Sequence, residues 1–270
     1  MSDTNEIDTG CPKILARIEN GVGWLTFNNP ERRNAVSIEM WEAVAQTAER
    51  FASDDAIRMV VLTGAGEKAF VSGADISQFE EKRANSEAGD AYTRISENAR
   101  AHLAAIEKPV IAMIRGFCVG GGLGVAMKVD LRICSDDSRF GIPAAKLGLA
   151  YAYESLRALT HLVGPAYAKE ILFTGRMLSA GEALRIGLVN SVVPADDLEA
   201  TVRAYCDMIT ANAPLTIKAS KFTIENVLKA PEERDLARID ELKRACMDSE
   251  DYTEGRRAFM EKRKPQFKGR

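Results

Sequence analysis

The stretch IAMIRGFCVGGGLGVAMKVD, from Ile111 to Asp130, decides the fold and carries the main candidate site. Pro109 disfavours helix just before it, and the apolar run 110–114 predicts a buried strand. The glycines at positions 120, 121 and 122 permit close backbone approach, and the apolar residues after them predict a helix that begins at these glycines. Because the first amides of a helix have no partner within it, this end of the helix can bind an anion.

Two familiar glycine-loop motifs do not fit this sequence. A phosphate-binding P-loop would continue with Gly-Lys-Ser or Gly-Lys-Thr, whereas Gly122 is followed by Leu123 and Gly124. The dinucleotide-binding pattern G-x-G-x-x-G cannot be placed between Gly116 and Gly124 either. Taken alone, the glycines favour a purely structural explanation, in which they only let the helix pack closely against its neighbours.

A second loop, AFVSGADISQF from Ala69 to Phe79, follows a predicted strand at 59–62 and changes that balance. Together with IRGFCVGGG, this loop resembles the paired loops of the enoyl-CoA hydratase/isomerase (crotonase) family. The resemblance extends over almost the whole chain, through FNNPERRNA at 27–35, FGIPAAKLGL at 140–149, KEILFTGRMLSAGEALRIGLVNSVV at 169–193 and FMEKRKPQF from Phe259. It implies an α/β fold, with a spiral of β-β-α units forming an acyl-CoA-binding core over residues 12–195. A helical region over residues 196–270 would then assemble the chain into trimers, often paired into hexamers.

The resemblance also implies an oxyanion hole, made by the backbone amides of Ala74 and Gly121, for the carbonyl oxygen of an acyl-CoA thioester. A thioester enolate carries its charge on that oxygen, and two fixed N–H donors stabilise the charge without reorganising. Coenzyme A is then part of the substrate, and no separate cofactor is expected. The neighbouring residues implied to contact the substrate are Ser72, Gly73, Asp75, Ile76, Gly120 and Gly122. Among them, Asp75 is expected to hold the loop by a hydrogen bond to nearby backbone.

The sequence departs from the hydratases of this family at two substrate-lining positions. Those enzymes carry a glutamate at each of the positions that correspond to Gly124 and Ala144. Adding water across an enoyl double bond needs one group to deprotonate water and another to protonate carbon, and neither residue has a titratable atom. We therefore expect isomerisation, decarboxylation or other non-hydratase chemistry. Weak hydration and a catalytically silent acyl-CoA-binding trimer are the alternatives.

The candidates for proton transfer lie just downstream, in LGLAYAYESLRAL at 147–159. Tyr151 falls where the methylmalonyl-CoA decarboxylase branch, by a local similarity, has an active-site tyrosine. A tyrosine hydroxyl can orient a carboxylate or protonate an enolate, and burial in a dry pocket would raise the pKa of Glu154 into a useful range. The structural alternatives are ordinary packing for Tyr151 and a favourable interaction of Glu154 with the helix N-terminus.

Four residues are candidates for contact with the coenzyme A part of the substrate. The loop at 30–34 corresponds to one that approaches the CoA phosphates in the resembled family, which selects Arg32 and Arg33; a solvated arginine pair is the alternative. By the same analogy, Phe259 and Lys262 reach the CoA of their own or a neighbouring subunit. Without the resemblance, the charged segment 261–264 indicates only a solvated tail.

Composition excludes several other classes of protein. The chain has 270 residues, is 46% hydrophobic and carries a formal net charge of -3, so it can bury a large core and shows no basic stretch typical of nucleic-acid binding. No apolar run approaches the length of a membrane span, and the first ten residues are acidic and polar, unlike a signal peptide. We therefore expect a cytoplasmic protein with neither nucleic-acid nor membrane partners.

The cysteines and histidines indicate no metal or redox site. The five cysteines are widely spread without a C-x-x-C pattern, which favours reduced thiols. His102 and His161 are the only histidines, and neither has metal-ligand spacing. The polar segment 78–93 follows the second loop and is a candidate lid over the acyl chain, with a flexible surface helix as the alternative.

Overall fold

The computed structural model describes residues 4–75 and 86–270, and of residues 86–90 it describes only the backbone. Ile76 and residues 78–85 of the candidate lid at 78–93 therefore lie outside the described residues. The chain divides into two compact units, the first made of residues up to 106 together with 110–202, the second of 107–109 together with 203–270. The division falls inside a helix, seven residues beyond the predicted boundary at 195.

The first unit contains two sheets. Their strands are β1 (Thr4–Ile7), β2 (Ile14–Glu19), β3 (Val22–Phe27), β4 (Met59–Gly64), β5 (Ala69–Val71), β6 (Val110–Ile114), β7 (Phe117–Val119), β8 (Leu131–Ser135), β9 (Arg139–Gly141), β10 (Leu178–Ser179) and β11 (Ser191–Val193). The larger sheet has the order β1-β2-β3-β4-β6-β8-β11, and the smaller has the order β10-β9-β7-β5. The first strand precedes residue 12, so the sheet begins earlier than the predicted core.

The helices connect these strands in a repeating pattern. They are α1 (Ile38–Ser53), α2 (Ser86–Ala104), α3 (Gly121–Ala126), α4 (Tyr153–Thr174), α5 (Ala180–Arg185) and α6 (Leu198–Thr210). Each of the pairs β4-β5, β6-β7 and β8-β9 contributes one strand to each sheet and is followed by a helix. Successive pairs hydrogen-bond in parallel in both sheets. This is the expected spiral of β-β-α units.

Local sequence signals account for several of these elements. Asn20 and Gly21 both have positive φ, 52° and 76°, which matches the tight turn that joins β2 to β3. The Ser37 side chain accepts a hydrogen bond from the amide of Met40 and caps α1. The S-x-x-E spacing of Ser179 and Glu182 predicts a capping box, and the two residues form one at the start of α5. The apolar run 188–193 predicts a strand, of which only 191–193 pair with β8.

The core of the first unit lies between α1, α2 and the larger sheet. Its largest fully buried side chains include Trp41, Phe27, Phe51, Phe70 and Phe140. The rings of Phe27 and Phe70 meet edge to face, with centroids 5.8 Å apart. Each such side chain contributes roughly 1.5–3 kcal/mol relative to solvent exposure. This packing fixes the strand ends from which the two glycine-rich loops emerge.

The second unit is helical. Its helices are α7 (Pro214–Val227), α8 (Leu236–Met247) and α9 (Glu250–Met260). Large apolar side chains are exposed on it, including Ile224, Leu236, Phe259 and Met260. Exposed apolar surface of this kind is typical of an interface between proteins, and the trimer or hexamer stays a prediction. Among the described residues, none of the helices combines the length and the hydropathy needed to cross a bilayer.

Candidate functional site

The two glycine-rich loops meet at the N-terminus of α3. A Cβ atom on Gly122 would stand 2.1 Å from the carbonyl oxygen of Val71, so only glycine lets α3 approach β5 this closely. On the other side, the amide of Gly120 donates to the carbonyl of Gly141 over 2.9 Å. These contacts hold the start of α3 between β5 and β9.

The amides of Ala74 and Gly121 lie close together. The Ala74 nitrogen lies 3.9 Å from the position that a Cβ on Gly121 would take, and the Gly121 nitrogen lies 3.9 Å from the corresponding position on Gly73. Val36 bonds to the residues on either side of Ala74, donating to Gly73 and accepting from Asp75, which turns the Ala74 amide away from it. Within the described chain, neither the Ala74 nor the Gly121 amide donates a hydrogen bond.

The loop that carries Ala74 is anchored by the arginine loop at 30–34. Arg32 Nη1 donates to the Asp75 carboxylate over 3.0 Å, and the Ser72 amide donates to the carbonyl of Arg33 over 3.1 Å. Arg32 is therefore one partner of Asp75, and the expected hydrogen bond from nearby backbone to this carboxylate stays a prediction. The Arg33 guanidinium lies 5.2 Å from the centre of the Phe117 ring. Both arginines are exposed beside the site, and their contact with CoA phosphates stays a prediction.

The two positions at which hydratases of the family carry glutamates, Gly124 and Ala144, lie in different surroundings. Ala144 is buried in a 3-10 turn, Pro143–Leu147, that follows β9. Gly124 lies one helical turn after Gly121, and a Cβ there would stand 3.8 Å from Cδ and 3.9 Å from Nη1 of Arg100. An arginine therefore borders the place where a catalytic glutamate would begin.

Sequence reasoning missed Arg100, which lies on α2. Its Nη2 donates to Ser96 Oγ over 3.3 Å, and its guanidinium lies 5.5 Å from the centre of the Trp41 ring. Burial lowers the pKa of Arg100, and the charges of Glu97, Tyr92 and Tyr151 oppose that shift. The group stays a cation at neutral pH because arginine starts from a very high pKa. No local pattern marks it, since α2 and α3 meet only in the folded chain.

Tyr151 lies near the glycine-rich loop, and Glu154 is exposed. The Tyr151 hydroxyl lies 3.7 Å from the position that a Cβ on Gly120 would take. Glu154 has a side chain 57% exposed and forms an ion pair with Arg157 over 3.0 Å. The described chain alone therefore does not enclose this carboxylate in a dry pocket, and a catalytic role for Glu154 stays a prediction.

The remaining candidates for CoA contact, Phe259 and Lys262, lie in the second unit. Phe259 is 83% exposed at the end of α9, and Lys262 follows it with a positive φ of 53°. Their contact with CoA stays a prediction. Ile76 lies outside the described residues.

The described part of the site combines two open amide donors, a tyrosine hydroxyl and an arginine cation. Such a set can stabilise negative charge on a carbonyl oxygen and supply a proton. The titratable groups that border it, Tyr151 and Arg100, are better suited to donating protons and binding anions than to activating water.

Comparison with known proteins identifies the family. The sequence model of the enoyl-CoA hydratase/isomerase family matches residues 17–270. The short-chain-enoyl-CoA hydratase of Clostridium acetobutylicum is 37% identical over 95% of this chain and 98% of its own. The (E)-benzylidenesuccinyl-CoA hydratase of Thauera aromatica is 35% identical over 95% and 99%. A crystal structure of an enoyl-CoA hydratase/carnithine racemase from Magnetospirillum magneticum has a TM-score of 0.92 at 39% identity, covering 96% of this chain and 97% of that one. The chain is therefore an acyl-CoA-processing enzyme that belongs to the enoyl-CoA hydratase/isomerase family.

Proposed function

We propose that this enzyme stabilises a thioester enolate at the amides of Ala74 and Gly121 and generates that enolate without a glutamate base. The observation that carries the proposal is the convergence of the two open amides beside a site that lacks both hydratase glutamates. Loss of one donor from such a hole typically costs about a hundredfold to a thousandfold in rate. The two amides therefore support stabilisation of a thioester enolate, whereas the absence of both glutamates does not support hydration.

Decarboxylation of a malonyl-type thioester fits this set of groups best. In that reaction the bond from the α-carbon to the carboxylate breaks, CO2 leaves, and the electron pair moves onto the thioester as an enolate. The enolate oxygen accepts hydrogen bonds from Ala74 and Gly121. The Tyr151 hydroxyl gives its proton to the α-carbon, and water then reprotonates the phenolate. No step in this sequence requires a carboxylate base.

Isomerisation is a weaker fit, because it requires a base to remove a proton before the enolate can form. Glu154 is the acid that was expected to supply one, and its carboxylate is exposed and already paired with Arg157. Hydration is the second candidate, and the names of the hydratases of Clostridium acetobutylicum and Thauera aromatica favour it. Without the two glutamates, we expect hydration at least about a hundredfold below that of a typical hydratase.

The test is a mass-spectrometric screen of CoA esters with wild-type enzyme and Tyr151→Phe. We expect the wild type to release CO2 from a malonyl-type ester and to hydrate crotonyl-CoA poorly. Tyr151→Phe should keep the affinity for the ester and lose about tenfold to a thousandfold in turnover, because only the proton donor is removed. Tyr153→Phe is the matched control, since the Tyr153 side chain is 73% exposed. Rapid hydration of crotonyl-CoA by the wild type would refute the proposal, and binding of esters without any turnover would favour a silent acyl-CoA-binding protein.

A further inference from the structure

A partly buried arginine lies beside the proposed site without an ion-pair partner in the described part of the chain. Arg100 borders Gly124 on α3. Burial lowers the pKa of Arg100, and the charge of Glu97 opposes that shift. Within the described residues, no carboxylate lies within ion-pair distance of the guanidinium.

The direct contacts of Arg100 with described residues are neutral. Ser96 accepts one hydrogen bond from Nη2, and the Trp41 ring lies against the guanidinium. Trp41 is itself fixed, because its Nε1 donates to the hydroxyl of Tyr92 over 2.9 Å. A half-buried guanidinium has more N–H donors than these contacts use, and leaving buried donors unpaired is unfavourable. The arrangement holds Arg100 in place and leaves it able to bind an anion.

The position of Arg100 selects which part of a ligand could supply that anion. If the thioester oxygen binds the Gly121 amide, Gly124 lies about 4.5 Å further along the helix, from three residues at 1.5 Å rise. That distance corresponds to the first few carbons of the acyl group. The CoA phosphates are separated from the thioester by the long pantetheine arm, so they do not reach this depth.

We propose, on the basis of the acyl-CoA site proposed above, that Arg100 is a specificity-determining residue that binds a carboxylate on the substrate's acyl group. The enzyme would then select CoA thioesters of short dicarboxylic acids over those of monocarboxylic acids. Bidentate hydrogen bonding makes arginine well suited to a carboxylate. The absence of a side chain at Gly124 keeps the space beside Arg100 open for the ligand.

This contact acts on binding more than on chemistry. An ion pair to a carboxylate is fully formed in the ground state, and it weakens if that carboxylate leaves as CO2. Interactions that do not strengthen in the transition state lower KM without raising kcat. Replacing Arg100 is therefore expected to raise KM for a dicarboxylic thioester while leaving kcat unchanged or somewhat higher.

The experiment measures binding of succinyl-CoA and butyryl-CoA by calorimetry, because these esters have acyl chains of equal length and differ in the terminal carboxylate. We expect the wild type to bind succinyl-CoA about tenfold to a hundredfold more tightly. Arg100→Gln should remove that preference, and Arg100→Lys should retain part of it. Arg94→Gln, an exposed position on the same helix, is the matched control and should behave as the wild type does. Circular dichroism melts identify any variant that does not fold, in which case Arg100→Lys alone decides.

Equal affinity of the wild type for the two esters would overturn the assignment of Arg100. An Arg100→Gln variant that loses affinity for succinyl-CoA and butyryl-CoA by the same factor would overturn it too. Neither outcome bears on enolate stabilisation, which the turnover assay measures separately. Discrimination without turnover would support Arg100 and refute the proposed reaction. Failure to bind either ester would overturn both.

Discussion

Replacement of Gly122 by alanine tests whether close approach of α3 to β5 builds the site. The new Cβ would stand 2.1 Å from the carbonyl oxygen of Val71 and 2.8 Å from its carbonyl carbon and Cβ. Ordinary contact would require the helix or the strand to move by about 1 Å or more, because the obstructing atoms belong mainly to backbone. Overpacking of this kind typically costs about 1–3 kcal/mol, occasionally more. A displacement of about 1 Å at the Gly121 amide can also cost a hundredfold in activity.

The matched control is Gly124→Ala in the same helix. Its Cβ would lie no closer than 3.8 Å to Arg100, so it fits, and loss of a flexible glycine should stabilise the fold by up to about 1 kcal/mol. Urea denaturation followed by circular dichroism compares the free energies of unfolding of the two variants, and calorimetry with an acyl-CoA compares Gly122→Ala with the wild type. Equal stability of Gly122→Ala and Gly124→Ala, with wild-type binding by Gly122→Ala, would show that close approach of α3 to β5 does not build the site.

Three further predictions address chemistry, pH and reactivity. Gly124→Glu alone should not restore hydration of crotonyl-CoA, because Arg100 would pair with the new carboxylate and Ala144 would still supply no acid. Adding Ala144→Glu should raise the hydration rate at least about tenfold above that of the single variant, measured by loss of enoyl absorbance. The Ser179 amide, and then Arg176, lower the pKa of Glu182 from its ordinary 4.5 to about 2, so its charge stabilises the fold above pH 4.5 and that contribution is lost as the pH falls through about 2. The difference in urea midpoint between wild type and Glu182→Gln should shrink over that interval, and a difference independent of pH would contradict the assignment. Burial raises the pKa of Cys118, so iodoacetamide should label it only after unfolding, as peptide mapping would show; labelling of the folded protein would contradict its burial.

The elements that could be predicted from the sequence are those whose cause is local. The Asn20-Gly21 turn, the Ser37 cap and the Ser179 capping box each depend on residues within a few positions of one another. The apolar run at 110–114 likewise predicted β6 within the larger sheet. Local chemistry fixes these features whatever the rest of the chain does.

The part of the site that could not be predicted depends on contacts between distant elements. Arg100 and Gly124 meet because α2 packs on α1 and α3 packs on β5, and nothing in the sequence around Arg100 indicates that neighbour. The surroundings of Glu154 depend on the fold in the same way. Its carboxylate is exposed and paired with Arg157 within α4, which the sequence alone does not reveal.

A crystal structure with a non-reactive acyl-CoA analogue tests directly whether the amides of Ala74 and Gly121 bind the thioester carbonyl. We predict that the carbonyl oxygen of the bound thioester lies within hydrogen-bond distance, about 2.7–3.2 Å, of both backbone nitrogens. A ligand whose carbonyl oxygen contacts neither nitrogen, or that binds away from these two loops, would contradict it.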